Sequence, residues 1–360
     1  MLPLVLSIIS TIFLYVSWNL YKNLLLFLVS NVIVRYLLVI AFTIFEFLSI
    51  ILCMKQNTTR PVKYLSYMFL FFVIFMLISF LLGDILVLFR IRINKFYATL
   101  FTLIFAIIVA IYGYINRSFI RITNYRLDTN KNVKLKIAFL SDIHIGAIGT
   151  NEKILNKIVE RINEIKPDVL LFGGDIVEAK IDDEIRNYCK ILSKAKAKFG
   201  SYGVLGNHEF YVGAIENIIE ILEKEANIKM LNDDFVLINN DIILVGRQDN
   251  SYSYISGKNR KKIGEIVETE DNRYKYKIVV DHNPKYFDDT VKNNFDLQLS
   301  GHTHNGQFFP FNLVVKLSYE KAYGLLKKLN SILIVSSGAG TWGPPVKVLS
   351  KPEIVVVDLE

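Results

Sequence analysis

The chain has 360 residues, 52% of them hydrophobic and 21% charged, with a formal net charge of +8. That apolar fraction excludes a wholly soluble protein, and two cysteines exclude a disulfide-built scaffold. Lys and Arg are interleaved with Asp and Glu, so the positive balance points to membrane lipids and not to nucleic acid.

The apolar excess lies at one end. Residues 1–115 form a succession of apolar runs and read as an α-helical transmembrane region; residues 116–133 read as a linker or edge strand; residues 134–360 carry the mixed charge and turn residues of an α/β domain. Spans are predicted at Leu2–Leu20, Tyr36–Met54, Tyr64–Phe89 and Phe96–Ile115, since ~20 apolar residues cross a bilayer core. The first lacks a basic leader and a small-residue cleavage site, so it reads as an anchor. Lys55, Arg60, Lys63, Arg117, Arg121 and Arg126 share a side with the C-terminal domain, against Lys22, Arg35, Arg90, Arg92 and Lys95 opposite. This multi-pass arrangement leans to a cytoplasmic catalytic domain, and a re-entrant Leu25–Val34 would invert it. Glu46 and Asp84 fall inside apolar runs, where helix-to-helix hydrogen bonding, or an interfacial place for Asp84, is preferred over a functional site.

Past the spans, Phe119–Leu127 alternates like an edge strand. Then each apolar run delivers polar residues at its end: Lys134–Leu140 leads to Asp142 and His144, Val169–Phe172 to Gly174-Asp175, and Tyr202–Leu205 to Gly206-Asn207-His208-Glu209. Helical spacing fills Asn151–Ile165 and Asp183–Ala197. Further strands are expected at Asp234–Ile238, Ile242–Val245, Tyr276–Val280, Asp296–Leu299, Ile332–Val335 and Ile354–Leu359, two of them leading to His282 and to Gly301-His302-Thr-His304. Asp249–Arg273 reads as a surface excursion bordering the substrate pocket.

All five histidines lie in these strings. Imidazoles confined to turns at strand ends point to metal binding and proton transfer. A hydrolytic two-metal centre holds ions ~3.5–4 Å apart, so that a bound hydroxide and the leaving oxygen are both stabilised. Asp175, preceded by glycines that permit close backbone approach, is the expected bridge. Asp142, His144 and His304 would join it at one ion, and Asn207, His282 and His302 at the other. This nitrogen and oxygen set suits Mn²⁺, Fe or Zn²⁺. His208, next to a ligand, is left free to stabilise the transition state or protonate the leaving oxygen, with Glu178 as the candidate orienting carboxylate. Glu209 is expected to make backbone contacts in its loop.

These ordered strings resemble the calcineurin-like metallophosphoesterase family, and the resemblance covers Lys134 to Glu360. Gly301-His-Thr-His-Asn-Gly-Gln307, Gly338-Ala-Gly-Thr-Trp-Gly-Pro-Pro345 and Pro352-Glu-Ile are similar to its membrane-anchored branch, the transmembrane proteins with metallophosphoesterase domain. The resemblance implies an αββα sandwich and two metals placed as above. Glu178 stands where the family has an Asp, Asn305 where it has a Gly, and Lys347 where an Arg is common; the last two would bear on substrate contacts. The segment Gly338–Pro345 lacks the Gly-Lys-Ser/Thr ending of a phosphate-binding loop and reads as a structural rim, from which Trp342 could reach a lipid or sugar.

The branch is associated with cleavage of UDP-diacylglucosamine-type pyrophosphates. The expected activity is therefore a phosphodiesterase or pyrophosphatase acting on a lipid-linked or nucleotide-activated glycolipid. The alternatives are a protein or nucleotide phosphomonoesterase, and a membrane sensor whose metal domain does not turn over.

Overall fold

The computed structural model describes residues 2–55, 58–129, 131, 133–267 and 275–360. Contacts divide the chain into two units, Met1–Tyr112 and Gly113–Glu360.

In the first unit, α1 (Leu2–Leu20) runs through a π-helical turn (Tyr21–Leu25) into α2 (Leu26–Leu28). α3 (Val32–Met54), α4 (Arg60–Leu88) and most of α5 (Lys95–Asn116) complete it. Four helices are long and apolar enough to cross a membrane. Leu25–Val34 is a helix end, a short break and the start of α3, which Asn31 caps by accepting from the N–H groups of Ile33 and Val34. Leu37, Ile44 and Ile51, two turns apart on α3, are 59–60% exposed, an arrangement that suits lipid and not water. Polar groups pair between helices instead: Ser17 Oγ donates to the buried Glu46 at 3.0 Å, and the half-exposed Asp84 accepts from Tyr15 at 2.6 Å and Lys95 at 2.7 Å. Both acids therefore join helices, in line with the structural reading of them.

The second unit is built on two six-stranded sheets. One holds β1 (Arg121–Leu127), β2 (Leu135–Leu140), β3 (Val169–Gly173), β4 (Ser201–Val204), β5 (Lys229–Met230) and, between β1 and β2, the last strand β12 (Glu353–Leu359). The other holds β6 (Asp234–Ile238), β7 (Ile242–Gly246), β8 (Tyr276–Val280), β9 (Leu297–Ser300), β10 (Gly324–Lys328) and β11 (Ser331–Val335), in the order β10-β11-β9-β8-β7-β6. β2 to β5 are parallel, as are β7, β8, β9 and β11.

The two-residue period of a strand separates the layers. Ile137 and Phe139 of β2 face Leu244, Ile278 and Leu299 between the sheets, while Ala138 and Leu140 turn to the helices outside. On the second sheet, Leu244 points inward and Ile243 and Val245 outward. α6 (Glu152–Ile165), α7 (Asp183–Leu192), α8 (Asn207–Val212) and α9 (Ile215–Lys224) cover the first sheet, with α10 (Ser251–Ser256) set against α8 through Tyr252 and Phe210, and α11 (Ile263–Ile266) and α12 (Phe287–Lys292) lie on the other side, giving an αββα sandwich. α13 (Phe311–Ser318) follows the last histidine string. α6 shows why these helices form: Asn151 caps it, and Leu155, Ile158 and Ile162 share one buried face. Each such side chain stabilises the fold by about 1.5–3 kcal/mol.

The expected excursion Asp249–Arg273 is only partly at the surface. Ile263, Ile266 and Val267 pack into the outer core and Arg260 bonds to Asp281, because α11 closes the outer face of the second sheet. Residues 268–274 lie outside the described residues. The second predicted helix ends at Leu192, five residues short of Ala197.

Candidate metal centre

Every predicted ligand leaves the C-terminal end of a parallel strand, where loops of an open α/β sheet converge. Asp142 and His144 follow β2, Asp175 follows β3 and Asn207 follows β4, while His282 follows β8 and His302 and His304 follow β9. Backbone bonds lace these loops together: Asp142 N–H donates to Gly174 O at 2.9 Å and His144 N–H to Asp175 O at 3.0 Å. Asp142, His144, Asp175, His302 and His304 all adopt φ of 50–70°, which costs a non-glycine residue about 1–2 kcal/mol. Strain gathered on the same residues that carry the donor atoms marks a functional site. Gly174, at φ 85°, has no alternative: a Cβ there would lie 2.7 Å from His282 Nδ1 and from Gly206 N.

The side chains meet in three overlapping groups, Asp142/His144/His304, His144/Asp175/His208 and Asp175/His282/His302, with the donor atoms of each within 4.8 Å of one another. Asp175 Oδ2 is 3.2 Å from His282 Nε2 and 3.9 Å from His144 Nε2. His144 Nε2 and His304 Nε2 are 3.0 Å apart, and Asp142 Oδ1 is 3.4 Å from the latter. Asn207 Oδ1 is 2.8 Å from His302 Nδ1 and 3.2 Å from His282 Nε2. All the sequence-predicted site residues thus come together.

The donor set fits divalent cations. His282 Nδ1 donates to Gly173 O at 2.7 Å, which turns Nε2 toward Asp175 and Asn207. Glu178 Oε2, 2.7 Å from His144 Nδ1, does the same for that ring. Burial and the neighbouring His144 hold His304 well below the ordinary imidazole value, and burial and His282 lower His302. His282 goes the other way, its pKa held well above the ordinary value against burial by the charge and hydrogen bond of Asp175. Imidazole nitrogens converging in this way on buried carboxylates offer the mixed nitrogen and oxygen donors that a divalent cation takes.

Glu178 does more than sequence reasoning gave it. The same Oε2 lies 2.5 Å from His208 Nδ1, so one carboxylate holds two imidazoles. Burial opposes its charge, yet the two histidines bring its pKa down to about 2. Burial also opposes protonation of His208, but the Glu178 hydrogen bond and the Asp175 charge raise it to about 9. Glu209 reaches beyond its own loop, accepting from the N–H groups of Gly206, Asp175 and Val177 at 2.8, 3.1 and 2.8 Å.

The segment Gly338–Pro345 backs the site: Ala339 and Gly340 donate their N–H groups to Ser141 O and Asp142 O at 2.9 and 2.8 Å. It carries Trp342 to 6.4 Å from the His208 ring. The expectation that Lys347 bears on substrate contacts is corrected. Lys347 is fully buried, its Nζ donating to the carbonyls of Ser337, Gly338 and Gly340 at 2.6, 2.7 and 3.0 Å. Burial pushes its pKa down to about 7 while those carbonyls take its donors, so it braces the loop behind Asp142. Gln307, quoted above only as part of a string, spans the same gap, donating to Trp342 O at 2.7 Å and accepting from Trp342 N–H at 2.8 Å. Nothing local in the sequence marks either contact, because the partners are about 35 residues away for Gln307 and are main-chain atoms in both cases.

A fold of two mixed sheets with this constellation at its strand ends defines a binuclear metallohydrolase. The calcineurin-like phosphoesterase family model matches residues 135–306. An uncharacterized metallophosphoesterase of Aquifex aeolicus is 31% identical over 262 residues, 71% of this chain and 97% of that protein. One from Helicobacter pylori is 36% identical over 230 residues, 63% of this chain and 60% of the relative's length. The zebrafish transmembrane protein with metallophosphoesterase domain is 27% identical over 286 residues, 74% of this chain and 64% of that protein. The chain belongs to the calcineurin-like metallophosphoesterase family, whose class is metal-dependent phosphoester hydrolase.

Proposed function

We propose that this protein hydrolyses a phosphodiester or pyrophosphate bond in a lipid-linked or nucleotide-activated glycolipid, as in UDP-2,3-diacylglucosamine hydrolysis. The observation that carries the reading is Asp175, whose carboxylate belongs to the donor groups on both sides of it. Asp142, His144, Asp175 and His304 would hold one divalent ion, and Asp175, Asn207, His282 and His302 the other, with Mn²⁺, Fe or Zn²⁺ all suiting the donors. Such ions, when bound, supply Lewis acidity and a nucleophile near neutral pH. His208, kept protonated and aimed by Glu178, gives its proton to the leaving oxygen. Asn207 is the first residue of α8, and His208 N–H donates to Asp175 Oδ1 at 2.9 Å, which fixes where His208 stands.

Two features support a lipid substrate: the four apolar helices, and Trp342, half-exposed beside His208. We place the boundary of the membrane region at 115 and the catalytic domain at 134–360 on the cytoplasmic side, a side supported by Lys55, Arg60, Lys63, Arg117, Arg121 and Arg126. Protease protection in sealed vesicles checks that side.

The chemistry is tested by screening the detergent-purified chain with Mn²⁺ against nucleotide-lipids, phospholipids, an aryl phosphodiester and an aryl phosphomonoester. Diester hydrolysis that His208→Ala lowers by roughly 10²–10⁴-fold with metal retained is the expected result. Turnover of monoesters alone would give the phosphomonoesterase, and two bound ions with no turnover the sensor.

A further inference from the structure

We propose that α13 is an interfacial helix, lying in the surface layer of the bilayer and setting the mouth of the metal centre against lipid. α6, α7 and α9 each bury an apolar face. α13 buries no residue at all: Phe311, Leu313, Val314 and Leu317 are exposed, Leu317 to 89%. Phe309, just before it, is exposed as well. Such a contiguous apolar patch marks a membrane or partner surface.

The connectivity of the second unit indicates the bilayer as the occupant. Gly113–Asn116, where this unit begins, is the last turn of α5, one of the four helices able to cross a membrane. Gly113 O accepts from Lys347 N–H at 3.1 Å, and Asn116 Nδ2 donates to Lys347 O and Ser350 O at 2.8 and 3.1 Å. Val348 N–H then donates to Gln307 O at 2.8 Å, and α13 starts at Phe311. The point at which the chain leaves lipid is therefore bonded, two steps on, to the segment that leads into α13. Leu349, 66% exposed, and the half-exposed Trp342 belong to the same bonded segment, and Trp is the residue of bilayer interfaces. Lys316 in the last turn of α13 suits anionic headgroups.

Both ends of α13 are fixed to the metal centre. A Cβ on Gly306, two residues after His304, would collide with the Asn312 backbone, and the Tyr319 ring is 6.1 Å from His302. A helix so placed cannot sit in lipid headgroups without bringing the histidines near them. The inference rests on the proposed lipid substrate only for its second test.

The first test uses the full chain in phosphatidylethanolamine and phosphatidylglycerol vesicles, with Leu317 replaced by a benzophenone amino acid. Photolysis is expected to give a lipid adduct, whereas the same probe at exposed Asp241, which precedes β7 at the opposite strand ends, gives none. Cross-linking to a second copy or another protein, or no lipid adduct at position 317, overturns the proposal. The second test compares Leu313→Glu/Leu317→Glu with the parent chain. Turnover of a phospholipid-linked diester should fall at least tenfold while that of a soluble aryl phosphodiester is unchanged; an equal fall in both, or in neither, overturns the role. If the parent hydrolyses no ester, the proposed function fails and the cross-link still decides where α13 lies.

Discussion

The Glu178 carboxylate stands 2.5 Å from Nδ1 of His208 and carries that imidazole's positive charge to about pH 9. His208 has a folded pKa above the usual 6.5, so its contribution to stability is full below about 6.5 and is lost as pH rises through about 9. As a proton donor it is competent over the same range. The pH profile of kcat should fall on the alkaline side near 9, and Glu178→Gln should move that limb to lower pH and lower kcat roughly 10–100-fold. A profile unchanged in Glu178→Gln would separate Glu178 from the proton transfer.

Asp175→Asn should cost more than any outer partner, beyond about 10–100-fold in activity, because one carboxylate serves both donor groups. Elemental analysis of the purified variant should show both ions depleted. Loss of one ion with the other kept at full occupancy would argue against a bridge.

Gly174→Ala adds a Cβ 2.7 Å from His282 Nδ1 at a backbone φ of 85°. A destabilisation of about 1–3 kcal/mol follows from the strain, seen as a lower melting temperature in detergent. Activity should fall further than stability, since the intruding atom presses on a predicted ligand.

Lys347→Met strips the carbonyls of Ser337, Gly338 and Gly340 of their donor inside the fold. An unpaired buried acceptor costs about 1–3 kcal/mol, so thermal stability should drop while metal content in the surviving protein stays near that of the parent. Chelation should lower the melting temperature too, but with the metal lost: removing ions that bind only the folded state takes away more stability the more tightly they were held.

Much of this molecule is legible in its sequence for plain reasons. Apolar runs long enough for lipid have no other use, and Asp142, Asp175, Asn207, His282 and His302 stand directly after apolar strand segments whose ends they share in space. What is hidden depends on distance. β5 is two residues long and β10, Gly324–Lys328, alternates weakly, so neither shows a period of its own. The burial of Lys347 is illegible because main-chain carbonyls, which every residue has, are its partners. The inward turn of Ile263 and Ile266 was masked by the Ser, Tyr and Lys that surround them.

Asp142, His144, Asp175 and Asn207 come from one sheet of the sandwich and His282, His302 and His304 from the other. Neither half owns a complete coordination shell. The ion pair would act as a rivet through the seam, and a chain whose halves have not yet closed on each other has no nucleophile to misuse. Assembly of the two β-layers is in this way a licence for chemistry: cleavage begins only once folding has ended.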